Sequence, residues 1–139
     1  MIQKAFYLDS CIWRDYFENR SDRFRPLGDW ALSLINKIIK EDNLIIFSDI
    51  LIEELENQYS SEELNKFLKM IPKELIIRIE ANEKQTKEAF RIKNKLNIPF
   101  GDALHAILAR DNNAILISRD KHFYELSEHV TIRKPEELI

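Results

Sequence analysis

Five short, mostly apolar runs stand at 5–8, 44–47, 75–79, 114–117 and 130–132, and the segments between them carry helical spacing. This alternation constrains the fold more than any other feature. Runs this short and this apolar read as strands buried on both faces. Strands that alternate with helices need crossover connections, which make the sheet parallel and cover both of its sides. The expected architecture is a three-layer α/β/α sandwich with a five-stranded parallel sheet, one domain over residues 1–139.

The intervening segments fit that plan. Residues 11–17 read as a short helix and 18–28 as a polar, Arg-rich loop. Trp30, Leu34, Ile35, Ile38 and Ile39 place an amphipathic helix over about 29–41. A helix is expected over 49–59. Ser60 with Glu63 forms a capping box that opens another to about residue 71. A charged helix spans 82–96. Residues 102–110 are apolar nearly all round (Ala103, Leu104, Ala106, Ile107, Leu108, Ala109), the mark of a buried helix. A short helix at 121–126 precedes the last strand. With 2 Gly and 4 Pro, loops should be short.

In open parallel sheets, sites form beyond the carboxyl ends of the strands. Four acids map there: Asp9 ends the first strand, Glu54 lies in the helix leaving the second, Asp102 opens the buried helix, and Asp120 follows the fourth strand through Ser118-Arg119. Helical spacing puts Glu54 on the inward stripe with Ile50 and Leu51, and Glu53 on the wet side. Converging carboxylates repel, so without a cation some should hold protons. An all-oxygen ligand set favours Mg²⁺ or Mn²⁺, which polarise phosphoryl oxygens and acidify bound water. Taken singly, each acid has an ordinary alternative: Asp102 as a helix cap, Asp9 and Asp120 as turn residues, Glu53 and Glu54 as surface charges. Taken together they would coincide at four adjacent topological positions.

Four segments in order then resemble PIN-domain ribonucleases, over nearly the whole chain: Phe6-Tyr7-Leu8-Asp9-Ser10; Phe47-Ser48 with Glu54-Leu55 beyond it; Asp102-Ala103-Leu104-His105-Ala106; and Ile117-Ser118-Arg119-Asp120-Lys121-His122-Phe123. The tail 133–138 is similar too. The resemblance implies the five-stranded parallel sheet and a metal-dependent endonuclease, usually acting on RNA. Mg²⁺ or Mn²⁺ would be held by Asp9, Glu54, Asp102 and Asp120, with Ser10 and Ser118 orienting carboxylates or water. It further implies that a chain of this size resembles the toxins of VapBC-type toxin–antitoxin pairs, with a small antitoxin partner masking the site. A housekeeping RNA-processing nuclease and a PIN-like module that binds RNA or protein without cutting are the alternatives. An Asp-nucleophile phosphatase fits less well, because the second Asp it wants two residues on is Cys11 here.

The remaining residues divide as follows. Arg20, Arg23, Arg25, Arg119 and Lys121 are candidates to grip substrate phosphates, with a solvated surface as their ordinary role. His105 reads as a hydrogen-bonded core histidine and His122 as a structural one beside Phe123. Trp13, Tyr16 and Phe17 form an aromatic patch serving the core, a homodimer or another partner. One cysteine, Cys11, allows neither an intrachain disulfide nor a cysteine zinc site, and it reads as a small buried hydrophobe. No run approaches membrane-spanning length, and the first residues lack the apolar stretch of a secretory signal, so a cytoplasmic location is expected. The net charge of −3 excludes a protein that holds nucleic acid by bulk positive charge, but not one that cuts it at an acidic metal site.

Overall fold

Ala5–Leu8 (β1) is the central strand of a five-stranded, all-parallel sheet. It is flanked by Leu44–Ser48 (β2) and Ala114–Ile117 (β4), with Ile76–Ile79 (β3) and Ile132–Arg133 (β5) at the edges, giving the order β3-β2-β1-β4-β5. The computed structural model describes residues 2–139. Register is continuous across the centre: Phe6 pairs with Ile45 on one side and Ile115 on the other. The helices are Ser10–Glu18 (α1), Leu27–Lys40 (α2), Asp49–Glu56 (α3), Ser61–Leu68 (α4), Glu83–Leu96 (α5) and Phe100–Asp111 (α6). Right-handed crossovers put α1 to α4 on one face of the sheet, where β1 leads to β2 and β2 to β3, and put α5 and α6 on the other, where the chain returns from β3 to β4. Among the described residues no helix is long and apolar enough to cross a membrane.

Sequence chemistry accounts for the helix ends. Ser60 and Glu63 form the expected capping box on α4, and Asn82 with Gln85 forms a second on α5. Asn19 and Asn97 end α1 and α5 in the left-handed conformation that asparagine tolerates. Ala103, Ala106 and Ala109 are fully buried, and their small side chains let α6 lie close to the sheet. Gly28 is required by close approach, because a β-carbon there would stand 2.5 Å from the Cα of Asn19.

Several boundaries differ from expectation. α2 begins at Leu27, inside the segment read as loop, and α3 stops at Glu56. Residues 121–126 form a 3-10 helix rather than an α-helix. Leu75 belongs to a 3-10 turn before β3, and the last strand is Ile132–Arg133, since Val130 and Thr131 still belong to the connection. α6 starts at Phe100 after Pro99, so Asp102 is inside its first turn and is not the cap. The aromatic patch splits: Trp13 is fully buried against Phe47, while Tyr16 and Phe17 are half-buried and join Tyr59 and Phe67. Cys11 is half-buried rather than buried, and burial pushes its thiol up, away from reactive thiolate.

Candidate active site

The sheet order reverses between β1 and β4, because the chain runs outward from β1 through β2 to β3 and then returns to β4 on the other side. The carboxyl ends of these two strands therefore border a crevice. Asp9 leaves β1 there and Ser118 leaves β4. The backbone N–H of Asp9 donates to the Ile117 carbonyl at 3.1 Å, and the Ser118 hydroxyl donates to Oδ2 of Asp9. Oδ1 of Asp9 accepts the Ile12 N–H at 3.1 Å, so Asp9 also caps α1. Its carboxyl is only 3% exposed, and burial pushes its pKa up to about 6 despite these hydrogen bonds.

Asp102, in the first turn of α6, faces Asp120, which caps the 3-10 helix after β4 by accepting the His122 N–H at 2.9 Å. Burial and then the nearby Asp120 charge raise the Asp102 carboxyl. Its Oδ2 is buried, with the His122 ring 3.3 Å away. The Asp102 charge also acts on Asp9.

Glu54 arrives from α3 and is the inward member of its pair, while Glu53 is exposed. A buried polar chain fixes it. Nε2 of His105 lies 2.8 Å from Oε1 of Glu54, Nδ1 lies 2.6 Å from the Tyr7 hydroxyl, and that hydroxyl lies 2.6 Å from Ser48 Oγ. An ionised carboxylate only accepts, so Nε2–H donates to it. In neutral His105, Nδ1 then accepts from Tyr7, which accepts from Ser48, which accepts the Leu51 N–H at 3.3 Å. Burial pushes the Glu54 carboxyl up, but His105, the Ser10 hydroxyl and the charge of Arg14 outweigh it and hold the group below its usual value. His105 is 2% exposed, the hydrogen-bonded core histidine expected from its place one turn after Asp102. Gly101 adds to the closeness, since a β-carbon there would stand 3.2 Å from Oε1 of Glu54.

The structure therefore brings Asp9, Glu54, Asp102 and Asp120 to one crevice, with Ser118 on Asp9 and Ser10 beside Glu54. It does not bring Arg119 to them. That guanidinium is 14% exposed, 2.8 Å from Glu136, 3.7 Å from Asp15 and over the Trp30 ring, so it ties α1, α2 and the tail together. Its expected role toward substrate is corrected: adjacency to Asp120 in sequence placed it near the acids, but its guanidinium is engaged by Glu136, Asp15 and Trp30 instead. Arg20 pairs with Glu18 at the end of α1 and Arg25 with Asp22 in the loop that follows, whereas Arg23 and Lys121 are exposed and make no ion pair among the described residues. Two residues beside the acids were missed. Arg14, one helical turn after Ser10, sends its charge to Glu54. His122 points its ring at the acids and not at Phe123, with Nδ1 3.3 Å from both Asp102 and Asp120. The Asp-Lys-His spacing across one tight turn was the available signal.

The donor set suits a divalent cation. Asp102 and Asp120 face each other, Asp9 is close enough to feel the Asp102 charge, burial raises Asp9 and Asp102, and the buried oxygen of Asp102 has the His122 ring 3.3 Å away. Such carboxylates are costly unless something positive meets them.

The comparisons with known proteins agree on the fold. The chain is similar to VapBC2 from Rickettsia felis bound to a DNA fragment from their promoter, at 18% identity and a TM-score of 0.69, covering 94% of this chain and 98% of the other. It is similar to VapBC-1 from nontypeable Haemophilus influenzae at 16% identity and TM-score 0.66, over 95% and 98% of the two chains. FitAcB from Neisseria gonorrhoeae matches at 15% identity and TM-score 0.63, over 96% and 99%. No curated protein matches the chain in sequence. The PIN domain model matches residues 6–129, which takes in all four acids and every strand but the last, and the chain thus belongs to the PIN domain family.

Proposed function

We propose that this chain is a divalent-metal-dependent endoribonuclease and the toxin of a toxin–antitoxin pair. The observation that carries the reading is the crevice between β1 and β4. Acids from separate segments face it, Asp102 and Asp120 lie close together, and the buried oxygen of Asp102 has the His122 ring beside it. Asp9, Glu54, Asp102 and Asp120 would hold Mg²⁺ or Mn²⁺. When bound, such a cation supplies positive charge to a phosphoryl oxygen and lowers the pKa of a coordinated water.

The chain's own residues do the positioning. Ser118 and the Ile12 N–H fix both oxygens of Asp9. His105, braced by Tyr7, fixes Glu54 and keeps it ionised. Arg14, Arg23 and Lys121 are the cations left to meet RNA phosphates. One of the similar solved structures is a toxin–antitoxin complex from Klebsiella pneumoniae, which supports a small antitoxin as partner. A homodimer and a cytoplasmic location belong to the same reading.

The test is cleavage of single-stranded RNA with Mg²⁺, Mn²⁺ or EDTA by the wild type and by Asp102→Asn. Metal-dependent cutting that the substitution abolishes is the expected result. Cutting that persists in EDTA, or in purified Asp102→Asn, refutes the site.

A further inference from the structure

Nothing in the fold requires an imidazole at position 122. The turn is closed by backbone bonds, the His122 N–H to Oδ1 of Asp120 at 2.9 Å and the Phe123 N–H to the Asp120 carbonyl at 3.1 Å. The core contact of the turn comes from Phe123 and Leu126, both buried, while His122 is 48% exposed. Its ring is nevertheless drawn inward, with Nδ1 3.3 Å from Oδ2 of Asp102 and 3.3 Å from Oδ1 of Asp120. The Asp102 oxygen in this contact is buried, and the imidazole stands against it and works to lower the Asp102 carboxyl that burial raises. The three donor atoms lie within 4.8 Å of one another. Two ligands of one cation with bonds of about 2.1 Å lie at most about 4.2 Å apart, which both His122 contacts already satisfy, so a small closing of the two aspartate oxygens suffices for one cation to touch all three.

We propose that Nδ1 of His122 is a nitrogen ligand, alongside Asp102 and Asp120, to a divalent first-row transition cation, and that it biases the site toward such ions over Mg²⁺. The inference rests on the metal reading above and adds to it a ligand and a selectivity. Mg²⁺ is a hard ion that keeps oxygen ligands and several waters, whereas transition cations take imidazole readily. Replacing one oxygen by nitrogen therefore gains affinity for the second class and little or none for the first. The competing role for His122 is that of a counter-ion to the two aspartates. The two roles differ in sign: a ligand holds the cation, whereas a counter-ion competes with it.

The experiment titrates the full chain with Mn²⁺ and with Mg²⁺ by calorimetry, in wild type, His122→Ala, His122→Gln and Asp102→Asn. Spin-echo spectra of bound Mn²⁺ report nitrogen coupling. Because His122 is half exposed, both substitutions should leave the melting temperature in EDTA unchanged, which controls for folding. Wild type should bind Mn²⁺ more tightly than Mg²⁺, with nitrogen coupling in the spectrum. His122→Ala and His122→Gln should weaken Mn²⁺ about tenfold or more, change Mg²⁺ by less than about threefold, and lose the coupling. Unchanged or tighter Mn²⁺ binding in His122→Ala, or no nitrogen coupling in wild type, overturns the inference. If Asp102→Asn abolishes binding of both ions while His122→Ala alters neither, the metal reading stands and only the histidine ligand falls. If neither ion binds wild type, or Asp102→Asn binds both undiminished, the metal reading itself falls, and the histidine ligand with it.

Discussion

Replacing Asp9 with asparagine separates what this carboxylate costs the fold from what it does for the site. Asp9 is 3% exposed, and burial raises its carboxyl from 3.8 to about 6. A group whose folded pKa lies above its unfolded value adds no penalty below the unfolded value and its full penalty above the folded one. The metal-free chain should therefore lose stability from Asp9 as pH rises from about 4 to about 7. At roughly 1.4 kcal/mol per pH unit, a rise of about 2 units is worth about 3 kcal/mol. Asparagine keeps the geometry: its carbonyl can accept the Ile12 N–H, its amide can donate to Ser118 Oγ, and it is itself a good helix cap. In EDTA at pH 8, Asp9→Asn should be more stable than wild type by about 2–3 kcal/mol, a rise in melting temperature on the order of 5–10 °C. Below pH 4 the two should coincide. Saturating Mn²⁺ should stabilise wild type and leave Asp9→Asn unmoved. The assay is urea denaturation followed by circular dichroism across pH, with and without metal. A substitution that is neutral or destabilising at pH 8, or a difference that does not vary with pH, refutes the argument that Asp9 is held ionised against its surroundings.

Three other perturbations follow from the geometry. Arg119→Ala leaves Asp15, which is buried, and Glu136 without their cation, and should cost about 3–5 kcal/mol in denaturation with little direct effect on metal affinity. Tyr7→Phe removes the hydroxyl between Ser48 and His105, leaving buried Nδ1 of His105 without a partner and the Ser48 hydroxyl hydrogen without an acceptor. It should cost about 1–3 kcal/mol and slow RNA cleavage by loosening Glu54, whereas a change in stability alone would disconnect the chain from the site. Gly28→Ala forces a methyl group against the Asn19 backbone and should lower the melting temperature, with the 19–28 loop becoming more sensitive to protease; an unchanged melting temperature would mean that the loop yields easily.

The sheet was legible because buried parallel strands leave short apolar runs, and all five were placed to within a few residues. The four acids were legible because topology, more than local sequence, fixes which residues meet at the carboxyl edge. Glu54 was separable from Glu53 by helical spacing alone. What escaped was side-chain direction. Arg119 and His122 flank Asp120 almost symmetrically in sequence, yet one turns to Glu136 and Asp15 and the other to Asp102. Spacing within a tight turn does not decide such a choice; the positions of Trp30 and Glu136, distant in sequence, do. The ordinary alternative for Asp102, a helix cap, fails because the helix starts at Phe100 after Pro99, two residues earlier than expected. The Tyr7–His105–Glu54 chain joins three segments and leaves no periodic trace.

The bond from Ser118 to Asp9 spans 109 positions of sequence, and β4 is the strand beside β1 on the side away from β2. During synthesis, therefore, β1, β2 and β3 with their helices can assemble while the crevice still has only one wall. Asp9, Glu54 and Asp102 all leave the ribosome before the strand that closes it. A growing chain of this kind carries its acids as an unfinished pocket and gains the complete arrangement only when its last quarter emerges and pairs with its first strand. The order of translation is then itself a delay between the appearance of the acids and the completion of the crevice that holds them.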